Sequence, residues 1–339
     1  MSDERFTAQL LAGPPAGDPV SVAKRLLAVQ GQDLRGARLA IRARTTGLTS
    51  ADVDSALTAD RSLVISWLNR GTLHLVCSED YHWLQALTTP SLFTANARRL
   101  AQEGVTPDAA DHGVAVIERS LAGEGPLTRA QLGERIAAAG VRTEGQALVH
   151  VLMLACLRGV AVRGPMIGRQ HAYALVRDWL GESRPIERDR ALAELARRYL
   201  AGHGPADDRD LAKWAGLPLR EARGALGAIA SELDTHTDGL VGLATHPPAA
   251  GPPPPRLLGP FDPLLLGWKS RKWILQSHEL RVVGNGLIRA IALVRGRAAA
   301  TWRMPAGEIV LEPLGHLARN DAVALEADAK HIVHYLAAN

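Results

Sequence analysis

Cysteine is nearly absent from this chain of 339 residues; Cys77 and Cys156 are its only thiols. Two cysteines cannot build a disulfide framework or a structural zinc cluster. Both lie in apolar sequence and read as small buried hydrophobes. Long apolar runs are missing too, which excludes a membrane-spanning helix. The opening Met1-Ser-Asp-Glu-Arg5 lacks the basic-then-apolar plan of a secretion signal, so the expected location is the cytoplasm. There is no His-Glu-x-x-His, paired Cys-x-x-Cys, Walker A or Gly-x-Gly-x-x-Gly pattern. A metalloenzyme or a nucleotide-driven enzyme is therefore disfavoured, and no metal or organic cofactor is expected. His331 and His334 stand i, i+3 without companion ligands and read as surface or packing residues. Lysine is scarce as well: five of the 39 basic residues, against 34 arginines. Arginine forks onto phosphates and base edges as lysine cannot. GC-rich coding produces the same bias, and a net charge of +4 does not by itself demand a nucleic-acid partner.

What is present is self-similarity. Leu121-Ala-Gly-Glu-Gly-Pro126 recurs as Leu200-Ala-Gly-His-Gly-Pro205, and Gly47-Leu-Thr-Ser-Ala-Asp-Val53 echoes Pro126-Leu-Thr-Arg-Ala-Gln-Leu132. A repeated unit of helix, turn, helix, helix and hairpin is the plan of a winged-helix module, and internal repetition outranks other signals of fold. The chain is 47% hydrophobic and 22% charged, the balance of an ordinary folded protein long enough for two or three modules. The expected fold is mainly α with β: three tandem winged-helix units followed by a β-rich C-terminal domain.

The boundaries follow from local signals. Residues 1–19 read as a leader. The first unit, 20–110, begins with a helix over 20–30 that ends at Gln30-Gly31-Gln32. A second helix runs from Asp33, its N-cap, to Thr45, and a third opens at Leu48. A fourth, recognition-type helix is expected over 61–69, closed by Gly71, with Thr72–Val76 as a strand. The second unit, 111–187, places Thr128 as a cap, a recognition-like helix over 145–158 and strands at 160–163 and 171–175. The third spans 188–246. Residues 247–255, carrying Pro252 to Pro255, form a stiff linker. In 256–339 strands are expected at 279–283 and 287–294 around Gly284-Asn285-Gly286, with a second turn at Arg295-Gly296-Arg297 and a closing helix over 321–336.

Gln30 and Gln32 are the candidate catalytic pair. An amide both donates to and accepts from a water or a sugar oxygen but is no strong base, so it suits reactions with a good leaving group. The competing account is a pair of capping or solvent-facing amides. Arg35, Arg38 and Arg42 line one helix face with Arg44 beyond, as a phosphate clamp or as a solvated face. Asn69, Arg70, Thr72 and His74 are candidates for the same cleft, His74 standing equally for a satisfied structural histidine. Trp268-Lys269-Ser-Arg271-Lys272-Trp273 interleaves aromatics with bases, as nucleic-acid stacking or as two core tryptophans among exposed bases. The Asn285 hairpin is either a wedge into a duplex groove or an ordinary surface turn.

Val29-Gln-Gly-Gln-Asp33, the Arg35–Arg44 helix, Ser66-Trp-Leu-Asn-Arg-Gly-Thr-Leu-His-Leu75, Gly259-Pro-Phe-Asp-Pro263 and Ala299–Arg303 together resemble the bacterial winged-helix DNA glycosylases of the AlkZ/YcaQ type. The resemblance covers nearly the whole chain. It implies a monofunctional glycosylase acting on N7-alkylated purines in double-stranded DNA, including bulky adducts or interstrand crosslinks made by natural-product toxins. It also implies catalysis by a Gln-aliphatic-Gln or Gln-aliphatic-Asp motif, which falls on Gln30 and Gln32, the AlkZ-like form. Gly31 departs from the aliphatic middle position. Two rival classes stand beside this reading: a non-catalytic DNA-binding regulator using the 61–70 helix, and a resistance protein that shields lesions without cutting. A monomer is expected.

Overall fold

The computed structural model describes residues 2–182 and 186–337. The chain is mixed α and β, with helix predominating. It divides into two compact units: residues 1–53 together with 192–339, and residues 54–191. Among the described residues no helix is long and apolar enough to cross a membrane.

In the first unit, residues 2–19 are packed into the fold rather than forming a separate leader. The helix Ser2–Ala8 buries Phe6 and Ala8, and the side-chain amide of Gln9 donates to the Gly202 carbonyl at 2.7 Å. The helix Pro19–Leu26 follows, capped by Asp18, which accepts from Ser21 N at 2.8 Å. It stops where Leu27 turns to φ 63°, so Gln30 lies not in a helix but in the short strand Val29–Gln30. Asp33 then caps the helix Leu34–Arg42, accepting from Gly36 N at 3.1 Å. Later come the helices Arg188–His203, Asp208–Ala215 and Leu219–Ala228 and the hairpin Leu233–Thr235/Val241–Leu243. Asp207 and Asp210 form a capping box on the second of these helices.

The end of the chain forms an antiparallel sheet in the order Val310–Pro313, Arg297–Arg303, Ile291–Val294, Arg256–Leu258. The helix Arg319–Ala337 packs on it through Leu325 and Ile332. Leu39, from the helix after the glutamines, enters this same core beside Leu257, Ala292 and Trp302. The indole of Trp302 donates to the Leu258 carbonyl at 2.8 Å. Residues 279–282 are a short helix rather than the expected strand, and only Val283–Gly284 pairs with Leu287–Ile288. The Asn285-Gly286 turn joins them, both residues at positive φ, 50° and 76°.

The second unit centres on antiparallel strands in the order Thr72–Cys77, Leu63–Leu68, Ala161–Ile167, Gln170–Leu175, Leu127–Thr128. The helices Pro107–Glu124, Arg129–Ala138 and Ala147–Leu157 belong to it, the second opened by the Thr128/Gln131 capping box. The expected recognition helix over 61–69 is the strand Leu63–Leu68, paired with Thr72–Cys77 in the register Ser66↔His74 and Leu68↔Thr72. All six residues of that strand are buried. A strand covered on both faces reads as a continuous apolar run, without the alternation that separates strand from buried helix.

Candidate nucleic-acid interface

The segment carrying Gln30 and Gln32 is held at both ends by close backbone contacts. Upstream, Gly202 lies so near the Arg25 carbonyl that a β-carbon there would come within 2.4 Å of the oxygen. Downstream, a β-carbon on Gly36 would meet the Pro260 carbonyl oxygen at 2.6 Å, and one on Gly259 would meet Leu39 at 2.9 Å. The first turn of Leu34–Arg42 is therefore seated on the Gly259-Pro260 backbone, with Asp33 fixing its start. Gln30 is 7% exposed, whereas Gln32 is exposed. One of the two residues is thus buried and the other exposed. Such a pair can orient a water or a sugar hydroxyl from two depths without acting as a general base.

The arginine row does not act as one clamp. Arg35 is exposed, and Arg38 is half-buried with Nη1 on the Leu34 carbonyl at 3.2 Å. Arg42 is buried and grips Asp328 with both terminal nitrogens, Nη1–Oδ2 at 2.9 Å. Arg44 is fully buried, bonded to both oxygens of Asp262, to the Gln9 carbonyl and to Gln9 Oε1. Arg42 and Arg44 are therefore structural ion-pair partners rather than phosphate ligands. The helical spacing placed them with Arg35 and Arg38, but their carboxylates lie more than two hundred positions away in sequence.

In the second unit, Asn69, Arg70, Thr72 and His74 cluster at one hairpin. Asn69 takes the left-handed φ of 48° that asparagine tolerates, and its backbone N–H donates to Thr88 Oγ1 at 3.0 Å. Its two amide atoms and the Thr72 hydroxyl are buried without a hydrogen-bond partner among the described residues. Such groups are rare in folded proteins. His74 is 2% exposed. Burial, and next the nearby Arg70 charge, push its pKa down to about 3, against the contrary pull of the Thr72 carbonyl. The ring is thus neutral at physiological pH. Its Nδ1 lies 2.9 Å from the Thr72 carbonyl, an acceptor, so Nδ1 carries the proton and Nε2 is the acceptor. A buried neutral histidine cannot contribute charge to phosphate binding. The regulator alternative loses its reading element here, because 63–68 is an interior strand rather than a helix.

The Trp268–Trp273 stretch also resolves inward. Trp268 is buried, its indole donating to the His203 carbonyl at 3.0 Å, and it meets Trp273 edge-on at 5.1 Å. Arg5 stacks over both rings, at 4.9 and 5.2 Å. Stacking on bases is thereby excluded for Trp268. Arg271 turns back onto the Leu265 carbonyl and Glu279, leaving Lys269 and Lys272 as the exposed cations. The Asn285 turn is exposed, and beside it Leu280 and Leu287 stand 94% and 61% exposed.

Sequence reasoning missed Asp262 and Gln9. Asp262 lies in the quoted Gly259–Pro263 motif, where its oxygens both pair with Arg44 and cap the helix Pro263–Leu266. The motif was visible; its partner was not. Gln9 carries no local signal at all. Among the described residues no group of three or more His, Cys, Asp or Glu could hold a metal ion.

Comparison with known proteins agrees with this frame. Residues 23–335 match the family described as DNA glycosylase AlkZ-like. An interstrand DNA cross-link repair glycosylase of Streptomyces sahachiroi is 28% identical over 345 aligned positions, which cover 94% of this chain and 90% of that protein. The solved structure of Streptomyces sahachiroi DNA glycosylase AlkZ superposes with a TM-score of 0.81 at 25% identity, covering 98% of this chain and 95% of that one.

Proposed function

The chain belongs to the AlkZ-like family of DNA glycosylases, and on that premise we propose that it excises N7-alkylated purines from duplex DNA by water attack at the sugar C1′, using Gln30 and Gln32. Alkylation at N7 leaves a purine positively charged. Such a base departs readily, and positive charge develops on the sugar as the glycosidic bond breaks. The enzyme then needs to position water and steady that centre rather than supply a strong base. Gln32, the exposed residue, holds the nucleophilic water; Gln30, the buried one, orients the deoxyribose. The observation that carries this reading is the seating of the Gln30–Gln32 segment between two glycine-tight contacts, inside the matched family span.

The scaffold reading is three winged-helix units, each ending in a hairpin, followed by the β-rich C-terminal part. The substrate is double-stranded DNA, met by the exposed Arg35, Lys269 and Lys272 and by the Asn285 hairpin. Interstrand crosslinks fall within its range by analogy with the named relative. The protein works as a monomer in the cytoplasm. The test is release of 7-methylguanine from methylated duplex. Gln32→Ala is expected to lower the single-turnover rate about a hundredfold or more with folding unchanged. Full retention of excision by that variant overturns the assignment.

A further inference from the structure

A cleft of about 420 Å³ lies against the C-terminal helix of the first unit, and neither Gln30 nor Gln32 lines it. Its lining includes Arg42, Arg256, Asp328, His331, His334 and Thr46. The charges do not balance. Asp328 is consumed: Arg42 holds both its oxygens and the Leu257 N–H donates to Oδ2 at 2.7 Å. Arg44 is matched by Asp262. Arg256 makes no ion pair among the described residues; its Nη1 donates to the Ala43 carbonyl. A half-buried guanidinium with no anion of its own is poorly compensated, because leaving water is costly for a charge. Burial lowers its pKa, against the pull of Asp328, and the neighbouring Arg42 and Arg44 charges add to the lowering.

Three further groups lining the cleft are unengaged. The imidazoles of His331 and His334 are exposed and make no hydrogen bond among the described residues, and neither does the Thr46 hydroxyl. A fixed cation, two imidazoles and a hydroxyl around one cavity form a donor set for a tetrahedral oxyanion. We propose that this cleft binds a phosphate group, with Arg256 as its fixed cation and His331, His334 and Thr46 as donors. The proposal stands independently of the excision chemistry.

The test uses the full chain with its histidines labelled at the Cε1 carbon. His331 and His334 resonances are assigned by single substitution and followed as inorganic phosphate is added at pH 6.5 and constant ionic strength. Both are expected to shift together and saturate, with chloride alone producing no saturating shift. His331→Gln combined with Thr46→Ala should weaken binding by about tenfold, read on His334. Arg256→Lys should retain binding, and Arg256→Gln should lose it; if the glutamine variant fails to fold, the other two still decide. A second arm replaces inorganic phosphate with a short unmodified DNA duplex. Shift of the same two resonances by the duplex names a backbone phosphodiester as the source, and saturation by the free ion alone names a small phosphate. Saturation by neither, or equal saturation in the His331/Thr46 variant, overturns the proposal.

Discussion

Arg44 and Asp262 form a two-pronged ion pair with no solvent access, Nη1–Oδ2 at 2.9 Å and Nη2–Oδ1 at 2.8 Å. Gln9 takes two more of the guanidinium's N–H groups and the Ala40 carbonyl the fifth, so nothing is left for an external phosphate. Removing one partner strands a charge in the interior. Asp262→Ala is expected to destabilise by about 3–5 kcal/mol. Arg44→Ala should act similarly, and the double variant should fall well short of the sum of the two. Urea denaturation reads all three; an effect under about 1 kcal/mol for Asp262→Ala contradicts the burial argument.

Gly36 makes a sharper prediction because it concerns one methyl group. The added carbon of Gly36→Ala meets the Pro260 carbonyl oxygen at 2.6 Å, and backbone cannot swing aside as a flexible side chain does. The expected loss is about 1–3 kcal/mol. Since the same contact seats the helix that follows Gln32, excision should drop in folded protein as well. A variant as stable and as active as the parent disproves the seating.

His74 sets an acid limit. Its pKa in the folded state, about 3, lies below the ordinary value of 6.5, so the unfolded chain takes up a proton that the folded chain refuses. Stability from this residue is complete above pH 6.5 and is lost as pH falls towards 3, by about 1.4 kcal/mol per pH unit at most. Denaturation midpoints between pH 7 and 5 should slope less steeply in His74→Gln than in the parent. Parallel slopes reject the buried neutral ring.

The separation of free from committed bases is checked by salt. Arg35→Ala and Lys269→Ala should each lower the slope of log K against log salt for duplex binding by about one. Both side chains are exposed, so neither change should unfold the protein. Unchanged slopes in both variants remove these residues from the DNA contact.

Leu280 and Leu287 flank the Asn285 turn with their side chains in water. Leu287→Ala should alter stability by no more than about 0.5 kcal/mol. If the hairpin enters a groove, the same variant should bind duplex DNA more weakly, by fluorescence anisotropy. Equal affinity leaves it a surface turn.

What was legible in the sequence was local. The caps at Asp33 and Thr128, the Asn285-Gly286 turn and the closing helix are each written in a few adjacent residues, and each forms. The strand Leu63–Leu68 was hidden because burial on both faces erases its period. The fate of Arg42 and Arg44 was hidden for a different reason. Their carboxylates stand 286 and 218 positions away, beyond any helical spacing rule. Gln30 and Gln32 were visible as a motif, but their unequal exposure depends on a turn at Leu27 that no local residue preference announced.

Leu39 belongs to a core otherwise built from residues beyond 256. As the chain is made from its N-terminus, the turn bearing the paired amides emerges early and must wait, unsupported, until the final strands and helix have left the ribosome. A chain that stops before residue 256 lacks every residue that covers Leu39 in that core. Competence to release a base is thus withheld until the strands beyond 256 and the helix Arg319–Ala337 have been made.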